Sequence, residues 1–147
     1  MKIEINNQSN FKIDLKLVGR VVRIFSRVYK IKNKELSLAF VSDAEIKKLN
    51  LKYRGLNKTT DVLSFSPLNN AGRNLPGQLG DDDCFGEIII DYSQIKRQAG
   101  NFKNSAQREL IFILVHSLLH LLGYNDKTDE DRDKMIKMGE IFIKNYL

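Results

Sequence analysis

The sequence contains few of the residues that usually bind metals or form disulfides. Its 147 residues include two histidines, one cysteine and no tryptophan. Because a disulfide needs two cysteines, Cys84 cannot form one within the chain, and a single cysteine is typical of a reducing cytoplasm. The first residues contain no uninterrupted apolar segment, so we expect no signal peptide and a cytoplasmic location.

No apolar run is long enough to cross a membrane. The longest one, 110–122, is interrupted by two histidines and a serine and is shorter than the about 20 residues that a spanning helix needs. Hydrophobic residues make up 42% of the chain and charged residues 29%, a balance typical of globular proteins. We therefore expect one globular domain, residues 1–147, without a membrane partner. The oligomeric state stays open.

Basic residues outnumber acidic ones, with 24 against 18, a net charge of +6 and a pI near 9.4. This excess favours an anionic partner, with nucleic acid ahead of an anionic membrane surface. Apolar residues recur at spacings of three and four over 11–30, which predicts a helix. One side of that helix carries a basic stripe, which consists of Lys12, Lys16, Arg20, Arg23, Arg27 and Lys30. We interpret the stripe as a nucleic-acid-binding surface, and a solvated helix face is the ordinary alternative.

Hydrophobic periodicity predicts nine elements in the order strand, helix, strand, helix, strand, strand, helix, helix, helix. This order indicates an α+β fold, with a four-stranded mixed sheet packed against about five helices and the apolar helix of 110–122 at its centre. The predicted strands are 1–8, 35–41, 60–66 and 87–90, and a long loop follows over 66–84.

Two helix boundaries can be predicted from capping residues. Asn104 and Gln107 have the spacing of a capping box at the start of the central helix. Thr128, followed by three acidic residues, starts the last helix. The periodicity of that helix predicts a buried side formed by Met135, Met138, Ile141 and Phe142.

Both histidines lie in the central helix, four residues apart. His116 and His120 therefore share one helix face, and Gly123 can end the helix and turn the chain so that Asp126 approaches them. The pattern His-x-x-x-His-x-x-Gly-x-x-Asp has the spacing of the metzincin zinc motif. It predicts a metal site formed by His116, His120 and Asp126, while two hydrogen-bonded core histidines are the ordinary alternative.

The metzincin comparison also reveals a missing residue. Metzincin proteases place a glutamate directly after the first histidine as the general base, whereas this chain has Ser117. Without that proton carrier a bound metal can still polarise an oxygen, but peptide hydrolysis is disfavoured. A metallopeptidase is therefore the less favoured alternative.

A second group of polar residues precedes the third predicted strand. It comprises Tyr53-Arg54 and the segment 58–65, which reads Lys-Thr-Thr-Asp-Val-Leu-Ser-Phe. Taken alone, these residues are typical of a surface arginine and an ordinary strand. Together with the histidine motif, they resemble sequence blocks of the YbeY family.

The resemblance covers blocks in the same order over about 49–124. The family pattern His-Gly-x-Leu-His-Leu-x-Gly-Tyr-Asp-His matches at His116, Leu119, His120, Leu121, Gly123 and Tyr124. The family's Tyr-Arg, Lys-Pro-Thr-Asp-Val-Leu-Ser-Phe-Pro and Gly-Asp-Ile resemble Tyr53-Arg54, 58–65 and 86–88, with Thr59 in place of the first proline.

The resemblance implies a metal-dependent, single-strand-specific endoribonuclease. It implies roles in maturing the 3′ end of small-subunit ribosomal RNA and in ribosome quality control, with the ribosome as partner. It also implies that Arg54, His116 and His120 are catalytic, and the basic stripe would then attract RNA. No general base is identifiable, and Ser64 and Glu87 are weak candidates.

The chain departs from the family where a third histidine ligand is expected. Asn125-Asp126 replaces the Asp-His pair, and we expect Asp126 to be the substitute ligand. A divalent metal with three neutral ligands keeps a charge of +2, and one carboxylate reduces it to +1, which weakens the Lewis acid. We expect one Zn²⁺ per chain, although iron or manganese also suits this ligand set. The alternative is a degenerate site in a non-catalytic RNA-binding or ribosome-binding factor.

Overall fold

The computed structural model describes residues 1–67 and 83–147. Four strands and five helices lie within these residues and confirm the predicted α+β fold and element order. The elements are β1 (Lys2–Asn7), α1 (Leu15–Val28), β2 (Glu35–Val41), α2 (Asp43–Arg54), β3 (Val62–Phe65), β4 (Cys84–Asp91), α3 (Tyr92–Asn101), α4 (Ala106–Leu121) and α5 (Asp129–Tyr146). Most of the loop predicted over 66–84 lies outside the described residues.

The four strands form one mixed sheet in the order β1-β2-β4-β3. β1 pairs with β2, and β2 with β4, in parallel, whereas β3 is antiparallel to β4 and forms an edge. Every residue of β4 is buried, as expected for an apolar strand at the centre of a sheet with both faces covered. The short edge strand β3 is the part of the sheet that borders the candidate site.

Helices cover both faces of the sheet. Ile88 and Ile90 of β4 belong to the larger core with α1, α4 and α5, whereas Ile89 belongs to a smaller core with Ile46 of α2. Because successive strand residues point to opposite faces, α4 and α2 lie on different sides. Four apolar α4 residues are fully buried, namely Leu114, Val115, Leu118 and Leu119. The prediction that this helix is central to the core is confirmed.

The first helix is shorter than predicted. It begins at Leu15, because the Asp14 carboxylate accepts a hydrogen bond from the Leu17 backbone N–H at 3.0 Å and caps the helix. Lys12 therefore precedes α1, and Lys30 follows it with a φ of 56°. The basic stripe thus extends beyond the helix at both ends.

The predicted capping box at the start of α4 is wrong. The N-cap is Ser105, whose hydroxyl accepts from the Arg108 N–H at 3.1 Å, while the Asn104 side chain accepts from the Ser105 N–H. The prediction that Ile141 of α5 is buried is also wrong, since this residue is 58% exposed, whereas Met135 and Phe142 are buried as predicted.

Among the described residues, no helix is both long and apolar enough to cross a membrane.

Candidate metal centre and its cavity

The two imidazoles lie side by side on one face of α4. Their ring centroids are 4.8 Å apart, and both side chains are partly exposed on a helix that is otherwise largely buried. α4 ends at Leu121, and Gly123 adopts a φ of +110°, a left-handed conformation that side chains rarely tolerate. This turn brings Asp126 back to the histidines, as the sequence predicts.

The separations of the three side chains suit one metal ion. Asp126 Oδ2 lies 3.8 Å from Nε2 of His116 and 3.5 Å from Nε2 of His120. One ligand atom from each residue can be chosen so that all three lie within 4.8 Å of one another. Two ligands of a tetrahedral zinc ion with bonds of about 2.1 Å are about 3.4 Å apart, so small side-chain movements complete the geometry.

A hydrogen bond to the backbone determines which nitrogen of His120 carries the proton in the neutral ring. The other nitrogen is then free to accept. Nδ1 of His120 lies 3.2 Å from the Tyr124 backbone carbonyl, which can only accept, so Nδ1 carries the proton. In the neutral ring Nε2 then presents a lone pair to Asp126, which is also an acceptor. Two acceptors that face each other at 3.5 Å are stabilised by a cation between them. These ligand atoms therefore fit a metal ion.

The environment of His116 favours the neutral imidazole that a metal requires. Burial, reinforced by the neighbouring His120, lowers the pKa of His116, although the carboxylates of Asp126 and Asp61 oppose this shift. Nδ1 of His116 is buried and finds no hydrogen-bond partner among the described residues. The ring is therefore not a core histidine held by hydrogen bonds at both nitrogens.

The three side chains open into a cavity of about 620 Å³. Its walls come from the end of α2, the edge strand β3, the exposed face of α4 and the start of α5. The charged residues among the described lining are Arg54, Asp61, Asp126 and Arg132. The structure thus brings Arg54 to the same cavity as His116, His120 and Asp126, although these residues are far apart in the chain.

Arg54 is positioned by the end of α2. The helix ends at this residue because Gly55 adopts a φ of 72° and closes the last turn. The preceding Tyr53 packs its ring edge-on against Phe65 of β3, with centroids 5.0 Å apart. This packing fixes the helix end against the edge strand, and the exposed Arg54 side chain reaches the cavity.

Two charged cavity residues, Asp61 and Arg132, are not among the site residues predicted from the sequence. The Asp61 carboxylate accepts hydrogen bonds from Gln98 at 3.1 Å and from Thr60 at 3.4 Å, which hold it at the start of β3. Its presence in the family-like segment 58–65 is the signal that could have identified it. Arg132 has no comparable signal, because it lies in a mixed run of acidic and basic residues.

The structure separates the candidate proton carriers. The Ser117 hydroxyl is fully buried and donates to the Ile113 carbonyl at 2.9 Å, so it cannot act as the metzincin glutamate does. Ser64 lines the cavity, whereas the buried Glu87 is absent from the described lining. Among the described residues, Asp61 and Asp126 are the cavity's only carboxylates.

The basic stripe occupies a different surface. All six of its residues are exposed, and α1 packs its apolar side against α4 and the sheet. None of the six belongs to the described lining of the cavity. Direct contact of the stripe with a nucleic acid remains a prediction, and the geometry gives it no part in the chemistry.

Comparison with known proteins identifies the family. The family model described as Endoribonuclease YbeY matches residues 3–146. Proteins named Endoribonuclease YbeY from Phytoplasma australiense and Desulforamulus reducens are 37% and 39% identical to this chain, covering 98% and 95% of it and 94% of each relative. The solution structure of TM1509 from Thermotoga maritima aligns with a TM-score of 0.56 and 26% identity, over 98% of this chain and 94% of that one. The chain therefore belongs to the YbeY family.

Proposed function

We propose that this protein is a metal-dependent endoribonuclease that acts on single-stranded regions of ribosomal RNA, including the 3′ end of the small-subunit RNA. The relatives named Endoribonuclease YbeY support the reaction class. The observation that carries the proposal is the convergence of His116, His120 and Asp126 beside Arg54 in one cavity. Neither a structural histidine pair nor a surface arginine accounts for that convergence.

His116, His120 and Asp126 would hold one metal ion, with zinc as the expected metal. When bound, such an ion acts as a Lewis acid toward a phosphate oxygen and acidifies a bound water. The Tyr124 carbonyl orients the His120 ring through Nδ1, as second-sphere partners commonly do. The negative charge of Asp126 would make the centre a weaker Lewis acid than one with three neutral ligands.

Arg54 would bind the phosphate that is cleaved. Its planar guanidinium can donate two parallel hydrogen bonds to phosphate oxygens and stabilise the charge that develops during cleavage. The partly buried Tyr53 keeps the helix end in place by packing on Phe65. We expect Arg54 to act on the reaction rate without affecting metal binding.

The basic stripe would attract RNA from a distance. Exposed cations raise the local concentration of a polyanion and make its binding sensitive to salt. A triple variant in which Gln replaces Arg20, Arg23 and Arg27 should bind RNA more weakly. The slope of log K against log salt concentration should be smaller in magnitude by about 0.7 for each phosphate contact that is lost. The rate of cleavage at saturating RNA should stay close to that of the wild type.

Metal analysis combined with RNA cleavage tests the proposal. Protein purified without a metal-binding tag and reconstituted with zinc should hold about one metal and cleave single-stranded RNA, while Asp126→Ala should lose both properties. Asp133→Ala is the matched control, because Asp133 is exposed and does not belong to the described cavity lining. Wild-type protein that stays empty after reconstitution, or that digests casein but not RNA, would contradict the proposal.

A further inference from the structure

The described charged side chains of the cavity balance one another. Arg54 and Arg132 contribute two positive charges, and Asp61 and Asp126 contribute two negative ones, so their formal sum is zero. A site for an RNA phosphate needs an excess of positive charge. Without Arg132 the same set would sum to −1, and a divalent ion would then leave only +1. In the metal-bound state the described charged residues and the ion would sum to +2, and Arg132 accounts for half of this net charge.

The start of α5 fixes the backbone of Arg132 at the wall of the cavity that holds the metal-ligand residues. The Thr128 hydroxyl caps this helix by accepting from the Asp131 N–H at 3.0 Å, and the Thr128 carbonyl accepts from the Arg132 N–H at 2.9 Å. Ile136, one turn further along, also lines the cavity. One face of α5 therefore forms a wall, and the Arg132 side chain extends from it.

The Arg132 guanidinium is only weakly engaged within the protein. Among the described residues, its partner is Asp129, with Nη1 to Oδ1 at 3.3 Å and side chains 55% and 95% exposed. A pair this exposed contributes little to stability. The contact uses one nitrogen of the guanidinium, so the group can still form the paired hydrogen bonds that phosphate accepts.

We propose that Arg132 is a second phosphate-binding residue, which holds the RNA backbone on the α5 side of the metal centre while Arg54 holds the phosphate that is cleaved. This inference rests on the proposed endoribonuclease function. In the absence of RNA, the guanidinium pairs with Asp129 at 3.3 Å. RNA then replaces a weak surface ion pair with a bidentate contact inside the cavity.

Substitution of Arg132 tests this role. Arg132→Ala should raise the KM for a single-stranded RNA oligonucleotide about tenfold and leave kcat and zinc content within about twofold of wild type, because a substrate-binding contact is lost. Fluorescence anisotropy can follow binding of the same RNA to metal-depleted protein. The slope of log K against log salt concentration should be smaller in magnitude by about 0.7 for Arg132→Ala than for wild type. Arg108→Ala is the matched control, since Arg108 is exposed on α4 and outside the described lining.

Conservative variants separate charge from geometry. Arg132→Lys keeps the positive charge but cannot form the paired, planar hydrogen bonds of a guanidinium. Its salt dependence should therefore equal that of the wild type, and its KM should lie between those of the wild type and Arg132→Ala. Asp129→Asn should lower KM about two- to threefold by releasing Arg132, and it should do so more than Asp133→Asn, which makes the same charge change.

Two results would overturn the inference in distinguishable ways. If wild-type protein cleaves RNA and Arg132→Ala behaves like Arg108→Ala in KM and in salt dependence, Arg132 does not bind phosphate and only this inference fails. If zinc-loaded wild-type protein cleaves no RNA, the proposed function fails as well. Loss of zinc from Arg132→Ala would assign the residue a structural role and likewise overturn the inference.

Discussion

Two clusters of polar and charged side chains in this protein serve different purposes. The metal-ligand group consists of His116, His120 and Asp126, and the α2–α3 acid cluster consists of Asp43, Asp91 and Arg97. In the acid cluster, Arg97 donates to both oxygens of Asp43 at 2.8 and 3.1 Å, and Asp91 caps α3 by accepting from two backbone N–H groups. In the metal-ligand group, acceptor atoms lie 3.5 and 3.8 Å apart at the wall of an open cavity.

The contrast shows how a functional group of polar residues differs from a structural one. Arg97 donates to Asp43, and the α3 backbone donates to Oδ1 of Asp91. Oδ2 of Asp91 is buried without another partner among the described residues, and a proton on Asp91, whose pKa is raised to about 7, supplies the missing donor toward Asp43. The cluster connects α2, β4 and α3. The metal-ligand group has more acceptors than donors, a condition that costs free energy unless a cation is present. An excess of converging acceptors beside an open cavity therefore indicates a ligand that the chain itself does not supply.

The strongest test of this contrast is to remove an imidazole. His116→Ala or His120→Ala should abolish zinc binding and reduce RNA cleavage by more than about 1000-fold, because a three-residue site with two ligands left binds zinc poorly. Metal content and cleavage rate are the measurements. Thermal unfolding of the metal-depleted variants should stay within a few degrees of the metal-depleted wild type. A variant that lost zinc but kept cleaving RNA would exclude the metal from the reaction.

Removing Arg54, which contributes a charge to the cavity and is not a metal ligand, should reduce RNA cleavage less than removing a histidine. Arg54→Ala should keep one zinc per chain and lower kcat about 100- to 1000-fold, because the guanidinium stabilises charge only during cleavage. Arg54→Lys should recover part of the loss, and Arg108→Ala should resemble the wild type. Loss of zinc in Arg54→Ala would show that the α2 end supports the metal centre rather than the substrate.

Residue patterns along the chain predict the fold and the metal-ligand group, because both depend on local spacing. The i, i+4 spacing of His116 and His120 on an apolar helix predicts a shared face, and Gly123 predicts the turn that returns Asp126. The run of isoleucines in β4 predicts a central strand. Each of these features involves residues close in sequence, where backbone geometry restricts the outcome.

Features that depend on packing between distant elements could not be predicted in this way. Arg132 reaches the cavity because α5 packs on α4, and Asp61 reaches it because β3 is the edge strand. Asn104 and Ser105 are both good N-cap residues, and the helix uses Ser105, while the Asn104 N–H donates to the Ala99 carbonyl of α3. Ile141 satisfies the apolar periodicity of α5 but is exposed, because only one side of this helix is buried, the side of Met135, Gly139 and Phe142.

The acid cluster should respond to pH in a way that the metal-ligand group does not. Burial, together with the hydrogen bond to Asp43, raises the pKa of Asp91 to about 7. The folded state then binds a proton that the unfolded chain releases near pH 4, so this group lowers stability as pH rises from about 4 to 7. Asp91→Asn keeps the helix cap and removes the ionisation. Its free energy of unfolding relative to wild type, from urea denaturation, should increase by about 2 kcal/mol between pH 5 and 8.

Asp43→Asn should have the smallest effect and the opposite pH dependence. Hydrogen bonds from Arg97 and then from Asp91 lower the pKa of Asp43 to about 2, so the ionised group stabilises the fold above about pH 4 and loses this contribution as pH falls toward 2. Because the ion pair with Arg97 is half exposed, solvent screening limits the loss in Asp43→Asn to about 1 kcal/mol at pH 7. Urea denaturation at pH 3 and pH 7 measures this difference, which should shrink at the lower pH.

Zinc content should be the same in wild type, Asp43→Asn and Asp91→Asn, because neither carboxylate lines the described cavity. If either variant lost zinc, the acid cluster would be part of the support of the metal-ligand group, and the separation of a structural from a functional cluster would fail.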